Sequence, residues 1–302
     1  MNIDARDLTA AIPQRRMFAL QDGDLSYLDW GGPADAPRVV MSNANGFNAY
    51  TYRQLLTPLS DRLRIQAVDA RGHGFSTAKA DPAAPLSWDM FRDDLIRFLE
   101  AGTTPCLLAG HSLGATTSLL LAELRPDLVS GVLAVEPVIM PYRQAWERRI
   151  KRWLHIPLVP NALVEGAVKR RSVYADREAV FKSYNGRGAF STWPEQVIRD
   201  YINGGVRDRE DGQVELACAP AWEAHIFRSS GGYIWDRLAR IKAPLSIIHG
   251  NVASTCTPEV THRLVRLYPA AKISLVDGAS HFLPMEYPAI VRENILRMSG
   301  IV

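Results

Sequence analysis

Two periods of apolar and polar positions alternate along this chain of 302 residues. Short apolar runs bounded by Gly or Pro read as buried strands, and longer amphipathic runs read as helices. Residues 16–20 and 25–30 flank Gln21-Asp22-Gly23-Asp24, whose central Asp-Gly marks a hairpin. Residues 37–42, 63–68, 106–109, 128–135, 244–249 and 272–276 are predicted as further strands. Between them the pattern predicts helices over about 50–61, 88–100, 115–124, 258–268 and 285–298. In the second of these, Phe91, Leu95, Phe98 and Leu99 share one face, and Ser87 is the expected N-cap.

From residue 138 to 237 this alternation stops. The segment reads as helical and holds five of the seven tryptophans: Trp146, Trp153, Trp193, Trp222 and Trp235. Pro157, Pro160, Pro194, Pro220 and glycine pairs divide it. Strand and helix alternating on both sides of an all-helical block predicts an α/β fold. Residues 1–137 and 238–302 would form a mostly parallel sheet flanked by helices, and residues 138–237 an inserted helical cap. In such sheets the loops at the carboxyl ends of the strands build the ligand site.

The length suffices for such a core. Lys and Arg total 35 against 32 Asp and Glu, a net +3 that gives no case for a nucleic-acid partner. Cys106, Cys218 and Cys256 lie far apart and form no C-x-x-C. A disulfide framework or zinc site is therefore not expected, nor any cofactor, and a reducing, cytoplasmic setting fits best. Residues 1–13 carry Asp4, Arg6 and Asp7 and lack the apolar centre of a signal peptide. No stretch approaches the roughly 18 apolar residues of a membrane span. Charge is uneven, however. Residues 137–190 hold eleven Lys or Arg and four Asp or Glu, an excess of seven. A solvated helix face is the plain reading, and attraction for an anionic substrate or a lipid surface is the sharper one.

The chemistry centres on Gly110-His111-Ser112-Leu113-Gly114, between the strand at 106–109 and the helix at 115–124. This is the G-x-S-x-G nucleophile elbow. A sharp turn lifts the serine hydroxyl above the strand end, and glycines two before and two after relieve the crowding. The helix N-terminus aims backbone N–H groups at negative charge developing near Ser112. A serine hydroxyl is a weak nucleophile and needs a base.

Four motifs in order carry a resemblance: Asn45-Gly46-Phe47 after the third strand, Asp69-x-Arg71-Gly72-His73-Gly74-x-Ser76 after the fourth, the elbow, and Ser280-His281-Phe282 before the last helix. Together they make the chain similar to the α/β-hydrolase superfamily with a cap after the sixth strand. The resemblance implies Ser112 as nucleophile and His281 as base. It implies the N–H groups of Leu113 and Phe47 as oxyanion donors. Members usually place an acid after the seventh strand, but Gly250-Asn251-Val252-Ala253-Ser254-Thr255-Cys256 holds no carboxylate, and Ala253 stands where it is expected. Some members draw the acid from the end of the sixth strand, which is Glu136 here. Asp277 and, more remotely, Asp211 are alternatives, as is a triad lacking its acid. Asn45, His111, Trp146, His225 and Phe282 are candidate substrate-binding residues. Loop shaping is the alternative for Asn45, lid packing for His225, and a place within the sheet for His111. Arg71, Gly72, His73 and Gly74 read as structural.

The implied activity is cleavage of a small-molecule carboxylic ester, with an apolar or aromatic acyl part, through a Ser-His-Glu triad. Lactonase, thioesterase and carbon–carbon hydrolase activities fit the same residues. A dehalogenase or epoxide hydrolase would need Asp at 112. The absent carboxylate near Ala253 leaves a second class open, a ligand-binding protein on a hydrolase scaffold.

Overall fold

The computed structural model describes residues 12–156, 162–229 and 234–301. The expectation for the first 13 residues falls almost wholly outside them, as do the expected breaks at Pro157, Pro160 and the Gly231-Gly232 pair. The first half of the core comprises β1 (Gln14–Leu20), β2 (Gly23–Gly31), β3 (Arg38–Ser42), α1 (Arg53–Leu56), β4 (Arg64–Val68), α2 (Asp89–Glu100), β5 (Cys106–His111), α3 (Leu113–Leu124) and β6 (Val129–Val135). The segment that follows holds α4 (Tyr142–Trp153), α5 (Ala162–Val168), β7 (Val173–Tyr174), α6 (Arg177–Tyr184), α7 (Glu195–Gly205), β8 (Val206–Asp208), β9 (Val214–Leu216), α8 (Pro220–Ser229) and α9 (Trp235–Leu238). The core then resumes with β10 (Leu245–Val252), α10 (Pro258–Leu267), β11 (Lys272–Ser280), α11 (Leu283–Glu286) and α12 (Pro288–Met298).

Eight strands form the main sheet in the order β1-β2-β4-β3-β5-β6-β10-β11. The β1–β2 hairpin closes with Leu20 opposite Gly23, and β2 pairs antiparallel with β4. From β4 to β11 every pairing is parallel. Helices cover both faces of a parallel sheet, so its central strands are apolar throughout. All six residues of β5 are buried, and so are six of the seven in β6. Two apolar clusters fill the two faces. One joins α1, α12 and the strands to residues of α6 and α7, and the other joins α2, α3 and α10.

Three expectations are corrected. Residues 138–237 are not all helical, because β7, β9 and β8 form a three-stranded antiparallel sheet. Strands of two or three residues are too short to show a period of two. The helices expected at 50–61 and 285–298 are broken. Short 3₁₀ turns flank α1, with Pro58 in the second, and Pro288 separates α11 from α12 because it has no N–H to continue the ladder. Finally, the N-cap of α2 is Trp88, although the Ser87 hydroxyl accepts the Asp89 N–H at 3.2 Å.

Four adjacent parallel strands, β5, β6, β10 and β11, end at the same edge of the sheet. Their C-terminal loops carry Ser112, Glu136, residues 253–256 and His281. The topology therefore gathers at one edge groups that lie up to 169 residues apart.

Candidate active site

Ser112 sits between β5 and α3 with φ 55° and ψ −113°, a region a side-chain-bearing residue rarely occupies. Its neighbours explain how the turn survives. A methyl group built on Gly110 would lie 2.4 Å from the Gly114 carbonyl oxygen, and one on Gly114 would lie 2.2 Å from the Ser42 carbonyl oxygen. Both contacts are with backbone, so neither position admits a side chain. The Ser112 N–H donates to Val135 O at 3.0 Å, tying the turn to β6.

His281 follows β11. Its Nε2 lies 3.0 Å from Ser112 Oγ, and its Nδ1 lies 3.1 Å from Glu136 Oε2. Glu136 is fully buried, with φ 51°. The loop that lacks a carboxylate clamps it. Gly250 N–H donates to Oε1 at 2.5 Å, Thr255 N–H to Oε2 at 3.1 Å, and the Ser254 hydroxyl lies 2.9 Å from both oxygens. The Thr255 hydroxyl also comes within 3.4 Å of His281 Nδ1. Burial pushes the Glu136 pKa up, but the His281 hydrogen bond and charge, with the Gly250 and Ser254 donors, outweigh it. The net shift is downward, so the group is a carboxylate at neutral pH.

His111 is fully buried beside His281, not in a substrate pocket. Its Nε2 is 2.8 Å from the His281 carbonyl oxygen and so carries the hydrogen, which leaves Nδ1 to accept from the Tyr52 hydroxyl at 3.0 Å. Tyr52 in turn accepts the Ala44 N–H at 3.0 Å. Burial pushes the His111 pKa down to about 3, so the ring stays neutral. The chain from Ala44 through Tyr52 and His111 joins the loop after β3 to the backbone of His281. Glu286 holds the residue before His281, accepting the Ser280 N–H at 2.8 Å and the Ser280 hydroxyl at 2.7 Å.

The loop after β3 is pinned by buried polar side chains. Asn43 Nδ2 donates to the carbonyls of Ala44 and Phe47 at 2.8 and 2.9 Å, and Asn43 Oδ1 accepts the Ala70 N–H. Gly46 N–H donates to His73 Nε2 at 3.0 Å, and burial holds that imidazole neutral with a pKa down to about 4. Arg71 forms a bidentate pair with Asp94 at 2.8 and 2.9 Å and also bonds Asp22, which makes it part of the scaffold. Leu113 opens α3, so its N–H has no carbonyl a turn earlier to bond. The Phe47 N–H differs from expectation, since it already donates to Ala44 O at 3.1 Å.

The remaining sequence candidates separate. Phe282 flanks the base, its ring 5.8 Å from that of His281, 6.0 Å from Phe47 and 5.7 Å from Trp193. Asn45 has the contact expected of the loop-shaping alternative, its amide nitrogen donating to Glu223 O on α8 at 3.1 Å. His225 likewise has the contacts expected of the packing alternative: it bonds Ala84 O at 2.8 Å and packs on Trp222. Trp146 stands exposed on α4 with the Arg149 guanidinium 5.4 Å from its ring, which removes the reason to place it in a pocket. Asp277 is exposed and accepts from Asn251 Nδ2 at 2.7 Å, and Asp211 pairs with Arg209. Neither approaches His281 in these contacts.

Sequence reasoning missed three groups. Ser254 and Thr255 had no signal except the carboxylate they replace. Trp193 and Tyr201 meet Phe47 at 5.2 and 5.9 Å and build an aromatic wall with Phe282. A buried Glu223–Arg170 pair, at 3.0 Å, lies over Gly46, where a methyl would come within 2.9 Å of Glu223 Oε1. Burial raises the Glu223 pKa against the pull of Arg170.

Comparison with known proteins bears on the family and the fold. The family model described as "Alpha/beta hydrolase family" matches residues 39–293. The 2-(acetamidomethylene)succinate hydrolase of Mesorhizobium japonicum is 28% identical over 252 residues, covering 82% of each chain. An esterase of Mycobacterium tuberculosis is 24% identical over 285 residues, covering 93% of this chain and 88% of the relative. The crystal structure of an E-2-(acetamidomethylene)succinate hydrolase superposes with a TM-score of 0.80 at 23% identity, covering 96% of this chain and all of that one.

Proposed function

From the premise that the chain belongs to the alpha/beta hydrolase family, we propose that it is a serine hydrolase cleaving small-molecule carboxylic esters through an acyl-enzyme on Ser112. One observation carries this reading: the continuous hydrogen-bond path from Ser112 Oγ through His281 to the buried Glu136 carboxylate. In the proposed reaction His281 Nε2 takes the serine proton as Oγ attacks the ester carbonyl. The proton then passes to the leaving alkoxide. Glu136 holds the proton on Nδ1 and stabilises the imidazolium. The tetrahedral oxygen is held by the N–H groups of Leu113 and Phe47, the second turning from Ala44 O toward the oxyanion. Water activated by His281 releases the acid and restores the serine.

The aromatic wall of Phe47, Trp193, Tyr201 and Phe282 favours an apolar or aromatic acyl part. Lactones, thioesters and carbon–carbon bonds are alternatives on the same triad. The binding-protein reading rested on the absent carboxylate near Ala253, and Glu136 bonded to His281 removes that motive. All three cysteines are free and buried, which supports the reducing, cytoplasmic setting as part of the proposal. Among the described residues no helix is long and apolar enough to cross a membrane. Residues 138–237 are proposed as the cap over the site. A fluorophosphonate probe tests the reading. Labelling should occur in the native chain and vanish in Ser112→Ala, and an unlabelled native chain would refute it.

A further inference from the structure

One face of α4 is exposed and apolar. Trp146, Ile150 and Trp153 recur at intervals of four and three residues and so form one stripe, exposed to 39, 48 and 78%. Leu154 and Ile156, just past the end of α4, and Val168 on α5 are further exposed apolar groups, at 51, 45 and 54%. The other five tryptophans, Trp30, Trp88, Trp193, Trp222 and Trp235, are all buried. The chain thus keeps its indoles inside everywhere but here. Scattered exposed apolar residues need no explanation, but a stripe ending in two tryptophans does.

The charge around the stripe says what would cover it. At about 100° per residue, Arg143 and Arg149 stand roughly 60° to either side of Trp146 on the helical wheel. Residues 138–171 contain eight Lys or Arg and two Asp or Glu; with Arg170 set aside, because it pairs with Glu223, the excess is five. Both acids face a lysine one turn on, Glu147 with Lys151 and Glu165 with Lys169. A second copy of the chain would bring this cationic surface against itself. An anionic bilayer matches both features of the face, with acyl chains for exposed indoles and negative headgroups for a surface rich in cations.

We propose that the α4 face docks the protein on the surface of an anionic lipid membrane, with the Trp146–Ile150–Trp153 stripe entering the headgroup boundary. The helix lies in the interface and does not span it.

Co-sedimentation with unilamellar vesicles tests this without using catalysis, so its failure leaves the hydrolase reading untouched. The native chain should bind phosphatidylcholine vesicles containing phosphatidylglycerol, bind pure phosphatidylcholine far less, and weaken as salt rises. Each basic group near the surface is worth roughly fivefold. Ile150→Gln/Trp153→Gln should bind at least about tenfold less, and so should Arg143→Glu/Arg149→Glu. Because these side chains are exposed, the thermal midpoint should stay unchanged in both variants. Brominated lipid should quench tryptophan fluorescence in the native chain and quench it less in Trp153→Gln. A native chain left in the supernatant with the anionic vesicles overturns the proposal. So does a dimer in sedimentation equilibrium that Ile150→Gln/Trp153→Gln dissociates, which would give the face to a second copy.

Discussion

Replacing Glu136 with Gln tests the chemistry most sharply, because the change keeps shape and removes charge. The carboxylate is surrounded by donors: Gly250 N–H at Oε1, the Thr255 N–H and hydroxyl with His281 Nδ1 at Oε2, and the Ser254 hydroxyl, whose single hydrogen is shared between the two oxygens. A glutamine amide must point its NH₂ at one of these two sets. Toward Oε1 it meets the Gly250 N–H, and toward Oε2 it meets the Thr255 N–H and turns His281 to the wrong tautomer. Leaving a buried donor unpaired costs about 1–3 kcal/mol. Losing the charge opposite the forming imidazolium adds to the barrier, and the comparable change in a Ser-His-Asp triad lowers kcat by about 10⁴. A fall of about 10²–10⁴ is therefore expected, or roughly 3–5 kcal/mol at 1.36 kcal/mol per decade. The assay is kcat on a p-nitrophenyl ester, normalised to the fluorophosphonate-reactive fraction so that misfolded protein does not count. Asp277→Asn is the comparator. Its carboxylate is exposed and bonded to Asn251, so its rate should stay within about twofold of native. Equal losses in the two variants, or a Glu136→Gln rate within tenfold of native, would refute the assignment.

Other predictions follow from the same contacts. Ser254→Ala removes one donor of the clamp while the two backbone N–H groups remain, so kcat should fall only about tenfold, and a loss equal to that of Glu136→Gln would contradict the division of labour. Gly114→Ala drives a methyl to 2.2 Å from Ser42 O, and soluble protein with a native melting temperature would show the elbow is not as crowded as argued. His73 and His111 are buried neutral, their pKa values lowered by burial to about 4 and about 3. Groups depressed below their unfolded value near 6.5 give stability that is full above that pH and lost as pH falls through it, because the unfolded chain takes the protons first. Together they should remove on the order of 3–4 kcal/mol between pH 7 and pH 5, at 1.36 kcal/mol per unit and site. Urea denaturation at the two pH values measures this, and equal midpoints would contradict it.

Which features were legible in the sequence follows from how local their causes are. The elbow was readable because the crowding that demands Gly110 and Gly114 arises within five residues and the strand and helix on either side. The strands of the parallel sheet were readable because burial on both faces leaves continuous apolar runs. Ser112 and His281 came through motifs, and Glu136 through its place at the end of a strand beside the elbow strand. The three short strands β7, β8 and β9 were not readable, since their pairing depends on partners up to about forty residues away. The Phe47 N–H was assigned from its motif, but the turn bond to Ala44 O depends on how Asn43 folds the loop.

By itself, then, the chain's pattern determined the strands of the parallel sheet, most of the helices beside them, where the sharp turn falls, and which side chains are candidates for the chemistry. Those properties depend on neighbours in sequence. Only the tertiary structure decided that an acid-free loop would hold Glu136 with Gly250, Ser254 and Thr255, that His111 would bond the backbone of His281, and that Trp193 would close on Phe47. Each of these needs groups a hundred or more residues apart to meet within a few ångströms, and the order of strands in the folded sheet, not any local period, brings them together.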